Sequence, residues 1–254
     1  MLTGLVTFLL FSSGKPSILF TPKNLVLLSL LIVVAANFIA CAAYTSDSSR
    51  STASARMITL ALMEVFYLSY SWMRTSDIFR IQNGVSHYTR VLWLFRVIIF
   101  LCILPIFTIL IPSSFDVARY ITNLATTVSG FCVLVMDIFF AVVSLKYILK
   151  RTEEVIEIKG PDAKVVQYFP IVARHLFVSS VGGILMLGFY IGGSVVASNK
   201  KYDVDVYTFY LLQIMFSLAQ LFIASTLVIL KVRLVNAAKR KKIPEKVEDK
   251  KNIV

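Results

Sequence analysis

The sequence contains an uninterrupted run of 19 uncharged residues, from Leu25 to Ala43. At about 1.5 Å per residue, such a run covers about 28 Å as an α-helix, which is close to the thickness of the hydrocarbon core of a bilayer. The run follows the short polar stretch Thr21-Pro22-Lys23-Asn24, which marks its start. We predict that it crosses a membrane, and that the rest of the chain repeats this kind of element.

The composition supports that prediction for the whole chain. Of the 254 residues 57% are hydrophobic and 16% are charged, whereas soluble domains have about 45–50% and about 25%. Since lipid admits only helices and closed barrels, and these runs are too long for barrel strands, we predict an all-α, polytopic membrane protein. Its apolar segments are residues 1–13, 25–43, 57–73, 91–112, 120–145, 170–198 and 206–230.

These segments predict a seven-transmembrane-helix bundle over residues 1–231 and a basic cytoplasmic tail over residues 232–254. The first segment has only 13 residues, which cover about 20 Å as a helix. We therefore expect either that a longer first span has lost its start or that this segment enters the bilayer only partway.

The distribution of Lys and Arg predicts the orientation. With the N-terminus outside, 19 of the 26 basic residues fall in cytoplasmic segments and 5 fall outside, among them Arg50 and Arg56. Because positive loops stay in the cytoplasm, we predict an outside N-terminus and an inside C-terminus. The net charge of +12 does not predict nucleic-acid binding, since the basic residues lie between and after the apolar runs. The basic tail is expected to contact anionic lipid.

Two carboxylates, Glu64 and Asp137, lie inside apolar segments. A charge in the middle of a bilayer costs about 2.5–3.5 kcal/mol, so such residues are candidates for function. Other polar side chains follow at helical spacing and must face protein or water. The candidates for ligand binding are Glu64, Tyr67 and Gln213, and the candidates for an intramembrane polar switch are Asp137, Asn123, Ser217 and Gln220.

Two interpretations of these polar residues remain open. In the first, they form hydrogen bonds between helices, each worth about 0.6–2 kcal/mol. In the second, Glu64 and Gln213 form the floor of a pocket that opens to the outside. The pair Gly188 and Gly192 predicts close approach of two helix backbones.

The sequence contains no pattern typical of an enzyme, a metal site or a cofactor site. The three cysteines lie in apolar runs, which favours small buried side chains over disulfides or metal ligands. No nucleophile accompanies a base, and no glycine-rich loop is arranged to hold a phosphate. We therefore predict no catalytic activity, no metal and no cofactor.

The stretch Thr21-Pro22-Lys23-Asn24 with the following Leu25–Leu30 resembles the first inner loop and second helix of rhodopsin-like (class A) G-protein-coupled receptors. The chain departs from that family elsewhere. The Asp/Glu-Arg-Tyr signature is missing, and residues 76–80 are its nearest counterpart. The sixth-helix and seventh-helix motifs and the outer disulfide are absent as well.

The resemblance implies a divergent receptor at the plasma membrane whose first helix is short or truncated. Such a protein binds an extracellular ligand within the bundle and signals to a heterotrimeric G protein, with Arg74, Asp77 and Arg80 as cytoplasmic coupling candidates. Two alternatives stay open. One is a small transporter or channel that uses the intramembrane carboxylates, and the other is a structural membrane protein.

Overall fold

The computed structural model describes residues 21–47, 49–108, 115–159, 168–198 and 206–240. These residues form five α-helices and no strand, which confirms the all-α fold class. The helices are α1 (Pro22–Ser46), α2 (Arg50–Thr108), α3 (Phe115–Lys159), α4 (Tyr168–Ser198) and α5 (Val206–Arg240). The predicted segment 1–13 lies outside the described residues.

Local sequence sets the first two helix boundaries. Pro22 occupies the first turn of α1, where its missing N–H is not needed. The backbone N–H groups of Asn24 and Leu25 donate to the Thr21 carbonyl, at 2.9 and 3.0 Å. After α1 ends, Ser49 begins α2 by accepting a 3.4 Å hydrogen bond from the Thr52 N–H. Serine at this position satisfies a backbone donor that has no partner within the helix.

Helix α2 reverses direction at Gly84. This residue has φ 73° and ψ 173°, and it interrupts the helix. The Trp72 ring, 12 residues before it, stacks on the Phe95 ring, 11 residues after it, with 5.1 Å between the ring centroids. Since residues at nearly equal distances from Gly84 meet, the two arms of α2, residues 50–83 and 84–108, form an antiparallel hairpin.

The helices surround one interior. Each helix packs against the next one along the chain, and α1 also contacts α5, which closes the bundle. We call the end where α1 leads into α2 the Asp47 end, and the end where α2 reverses the Gly84 end. One apolar core joins α1, α2, α4 and α5, and a second joins both arms of α2 to α3.

Among the described residues, five helical stretches are long and apolar enough to cross a membrane: Pro22–Ser46, Gly84–Thr108, Tyr120–Glu154, Val172–Val196 and Tyr207–Arg233. Burial in the bundle is reversed relative to a soluble protein. Ile39 is 72% exposed, whereas Glu64 is 5% exposed and Asp137 is 4% exposed. The protein is therefore a multi-pass integral membrane protein.

The predicted span 57–73 is not among these five stretches. It lies in the first arm of α2, which carries Arg56 and Glu64 and packs against α1, α3 and the second arm. Because protein surrounds much of this arm, its residues need not be uniformly apolar.

Several segments predicted as connections are helical. The predicted inner loop 146–169 is helix α3 as far as Lys159, and α4 begins at Tyr168. The outer connection 45–56 is reduced to a few residues between Ser46 and Arg50. Helix α5 continues to Arg240, beyond the predicted start of the tail. These segments were predicted as loops because they contain mixed charges. A helix that extends beyond the bilayer can contain the same polar residues.

Candidate functional site

A cavity lies in the middle of the bundle and is lined by residues from all five helices. About 60 Å³ of it is open to the centres of water-sized molecules, which is room for about four to six waters. Most of the lining is apolar, and the polar side chains in it are Glu64, Tyr67, Thr126, Asp137, Tyr190 and Gln220. The structure thus brings four of the predicted site residues together: Glu64, Tyr67, Asp137 and Gln220.

The Glu64 carboxylate is held from α3. The Ser129 hydroxyl donates to its Oε2 at 2.8 Å, and Ser129 itself is fully buried. Gly130, the next residue, is the close neighbour of the other oxygen, since an added Cβ there would lie 3.4 Å from Oε1. A small residue at position 130 leaves room for the carboxylate between α2 and α3.

The Asp137 carboxylate joins three helices. Its Oδ1 accepts a 3.0 Å hydrogen bond from Ser71 of α2, and its Oδ2 accepts a 3.1 Å hydrogen bond from Ser180 of α4. Near it, the Tyr67 hydroxyl lies 3.0 Å from the Ser179 hydroxyl. Both carboxylates therefore have partners on neighbouring helices, which agrees with the first of the two interpretations of these polar residues.

The two carboxylates lie at different levels of the cavity. Glu64 and Ser71, the α2 partner of Asp137, are seven residues apart, which is about 10 Å along the helix axis. Glu64 is nearer the Asp47 end, and Asp137 is nearer the Gly84 end. The arrangement offers two acidic groups in succession along the bundle axis.

Gln220 supplies an amide donor to the cavity. Its Oε1 accepts a 2.9 Å hydrogen bond from Asn37 of α1, and Asn37 Oδ1 accepts a 2.9 Å hydrogen bond from Thr59 of α2. Gln220 is 2% exposed, and its Nε2 has no hydrogen-bond partner. An oxygen acceptor of a bound molecule, or a water, would satisfy this buried donor.

Gln213 is not among the residues that line this cavity, so the structure does not bring it together with Glu64 there. Its Oε1 instead accepts a 2.7 Å hydrogen bond from Arg56 Nη2, near the Asp47 end. Asn123 and Ser217 also lie outside the lining. Asn123 Oδ1 accepts a 3.5 Å hydrogen bond from the Tyr190 hydroxyl, and Ser217 is half-buried.

The three coupling candidates lie on the first arm of α2, toward the Gly84 end. Arg80 is exposed, and Asp77 Oδ2 lies 3.5 Å from Lys23 Nζ of α1 in an exposed ion pair. Arg74 is half-buried, with its Nε and Nη1 enclosed and without a hydrogen-bond partner. One unbroken helical arm therefore connects the cavity residues Glu64 and Tyr67 to this end of the bundle.

Sequence reasoning missed Arg56, Asn37 and Ser129. Asn37 had a usable signal, because it is the single amide inside the uncharged run 25–43. Arg56 was assigned to a loop because the apolar segment begins only after it. Ser129 gave no signal, since serine is common in membrane helices.

The described residues contain no group of His, Cys, Asp and Glu that is arranged to hold a metal ion. The cysteines among them, Cys41, Cys102 and Cys132, are free thiols; Cys102 is fully buried and the other two are half-buried. Comparisons of the chain with protein-family models, with curated proteins and with solved structures find no match.

Proposed function

We propose that the protein is a receptor-like membrane protein that binds a small molecule in the central cavity and signals at the Gly84 end. The observation that carries the proposal is the cavity itself, which all five helices line and which contains Glu64, Asp137 and an unpaired amide of Gln220. The apolar walls and few polar groups are typical of small-molecule sites.

The signalling part rests on the first arm of α2. Glu64 lines the cavity, and Asp77 and Arg80 follow on the same uninterrupted arm, 13 and 16 residues further along. A rigid helix moves as a unit, so a ligand that displaces it at Glu64 also displaces its other end. A heterotrimeric G protein is the partner that the resemblance of residues 21–30 implies.

The orientation belongs to this proposal. Most Lys and Arg flank the Gly84 end, which is therefore assigned to the cytoplasm by the positive-inside rule. The Asp47 end then faces outside at the plasma membrane, and the proposed count of seven spans includes segment 1–13 as a short or truncated first helix. In this arrangement the basic residues after α5 lie at the cytoplasmic surface, where anionic lipid attracts them.

The test is a ligand screen with a matched pair of variants. Cells that produce the full chain and a heterotrimeric G protein are exposed to a small-molecule library while G-protein dissociation is measured. A compound that activates the G protein through the wild type should need an at least about tenfold higher concentration to do so through Glu64→Gln, since contacts with a charged group contribute about 1.5–3 kcal/mol.

The control variant is Glu153→Gln, which makes the same change at an exposed position of α3. It should leave the dose dependence unchanged, and cell-surface labelling should show equal delivery of both variants. An unchanged dose dependence in Glu64→Gln would rule out a ligand-binding role for this carboxylate.

A second candidate, a small transporter or channel, is favoured by the two acidic levels of the cavity. Carboxylates in succession along the bundle axis are typical of ion or proton pathways. The purified chain in proteoliposomes should then support flux of protons or of a cation, and Asp137→Asn should abolish it. A receptor gives no flux in this assay.

A further inference from the structure

The Arg56 guanidinium is a buried positive charge. Arg56 is 7% exposed, although it lies only six residues after the start of α2. A charge that is removed from water is stable only where other groups compensate for it. The surroundings of Arg56 therefore indicate what must neutralise it.

The described contacts of Arg56 are all with uncharged groups. Its Nη2 donates to Gln213 Oε1 at 2.7 Å, and the guanidinium lies 5.3 Å from the centre of the Tyr44 ring. Its Nε is enclosed and has no hydrogen-bond partner. The ion pairs that join described residues are Lys23–Asp77 and Arg151–Glu154, and neither includes Arg56.

The nearest intramembrane carboxylate on the same helix does not compensate for this charge. Glu64 lies eight residues, or about 12 Å, further along α2, and its Oε2 accepts its hydrogen bond from Ser129. By contrast, Gln213 adds a second donor beside the guanidinium, because its Nε2 is bonded to the same carbon as Oε1. The Cys41 thiol of α1 also lies within hydrogen-bond reach of Arg56. The surroundings of the guanidinium thus consist of N–H donors, an uncharged thiol and an aromatic face.

We propose that Arg56 and Gln213 form an anion-binding site near the Asp47 end of the bundle, which takes a carboxylate or phosphate group. A planar guanidinium binds both groups through paired N–H donors. The site lies between α1, α2 and α5, through Tyr44, Arg56 and Gln213. The anion-binding site is independent of the proposed receptor function.

The experiment uses the full chain in nanodiscs of phosphatidylcholine. Its thermal unfolding midpoint is measured against sodium phosphate and sodium acetate, with sodium chloride of equal ionic strength as the reference. An anion at about 100 times its Kd should raise the midpoint by about 5 °C or more. Arg56→Gln should lose this rise, and Arg50→Gln, at an exposed position of the same helix, should keep it.

The variant Gln213→Glu places an internal anion beside Arg56 with almost no change of shape. It should raise the midpoint in the absence of added phosphate and remove the response to phosphate. This variant also keeps the test decisive if Arg56→Gln fails to fold. A lower midpoint with an unchanged phosphate response would overturn the proposal.

The same measurement with anionic lipid identifies the source of the anion. If nanodiscs that contain phosphatidylglycerol raise the midpoint in the wild type but not in Arg56→Gln, the anionic group is a lipid phosphate and the site stands. If neither soluble anions nor anionic lipid stabilises the wild type, the proposal fails.

Discussion

At the residue scale, the two intramembrane carboxylates are paired with hydroxyl groups of neighbouring helices. Asp137 accepts hydroxyl hydrogen bonds from Ser71 and Ser180, and Glu64 accepts one from Ser129. In the lipid core no water is present to form a hydrogen bond with an unpaired polar group. These bonds therefore fix which faces of α2, α3 and α4 meet.

Asp137→Ala should lower the free energy of unfolding by about 1–4 kcal/mol, since it removes two interhelical hydrogen bonds of about 0.6–2 kcal/mol each. Asp137→Asn, with one acceptor and one donor, should lose less than half of that amount. Denaturation with SDS in mixed micelles measures both variants. Equal stabilities of the wild type and Asp137→Ala would contradict the structural role of this carboxylate.

The sequence identified the two buried carboxylates but not the side chains that form hydrogen bonds with them. Glu64 and Asp137 stand out because a charge in an apolar run is rare, and the structure buries both. Their serine partners are common residues in such runs, so only the packing of the helices identifies them. The Arg56 pair with Gln213 was missed because α2 begins before the apolar segment does.

At the scale of the elements, the reversal at Gly84 makes a hairpin from what would otherwise be one long helix. The backbone at Gly84, with φ 73° and ψ 173°, lies in a region that is essentially restricted to glycine. No other atom lies within 4 Å of the position of an added Cβ. The requirement for glycine is therefore conformational and not a matter of space.

Gly84→Ala should consequently cost about 1–3 kcal/mol of stability, which is the usual cost of such a backbone strain. The control is Gly188→Ala, since an added Cβ at that position also meets nothing within 4 Å but has ordinary helical backbone around it. Gly188→Ala should be neutral or stabilising by up to about 1 kcal/mol. Thermal unfolding of the two purified variants compares them, and a harmless Gly84→Ala would exclude the strain argument.

Close packing of α4 depends on Gly182 and not on the predicted pair Gly188 and Gly192. An added Cβ at Gly182 would lie 2.8 Å from Ile223 Cγ1 of α5, whereas one at Gly192 would make an ordinary 3.7 Å contact with Leu212. The residues four positions before and after Gly182 are Val178 and Met186, so the spacing that singled out Gly188 and Gly192 could not identify it.

Gly182→Ala should separate α4 from α5 and cost about 1–3 kcal/mol through overpacking. Gly192→Ala, on the same helix, should cost less than about 1 kcal/mol. The unfolding free energies of both variants in detergent test this difference. Similar losses in the two variants would mean that Ile223 moves aside without strain.

At the scale of the whole molecule, the described helices correspond to six of the seven predicted segments. The first segment lies outside the described residues. The span boundaries were less predictable. Helix α3 has 45 residues and is about 67 Å long, far more than a bilayer requires. Hydropathy marks only the part of a helix that lies in lipid, so it could not locate the ends.

The assigned orientation predicts the labelling of single cysteines introduced into a variant without the native ones. Asp47→Cys should react with a membrane-impermeant maleimide in intact cells, and Asp77→Cys should react only after permeabilisation. Both positions are exposed at opposite ends of the bundle, so access to reagent is equal once the membrane is open. The reverse pattern would invert the proposed topology and move the Arg56 site to the cytoplasm.

The contact between α1 and α5 has a consequence for biosynthesis. Of the described helices, the ribosome delivers α1 first and α5 last, and Asn37 of α1 donates its hydrogen bond to Gln220 of α5, 183 residues further along the chain. Until α5 is inserted, α1 lies in the membrane and the Asn37 amide lacks this hydrogen bond. The ring of helices is therefore completed only after translation of the last span, and a nascent chain that stops before Gln220 remains open along one side.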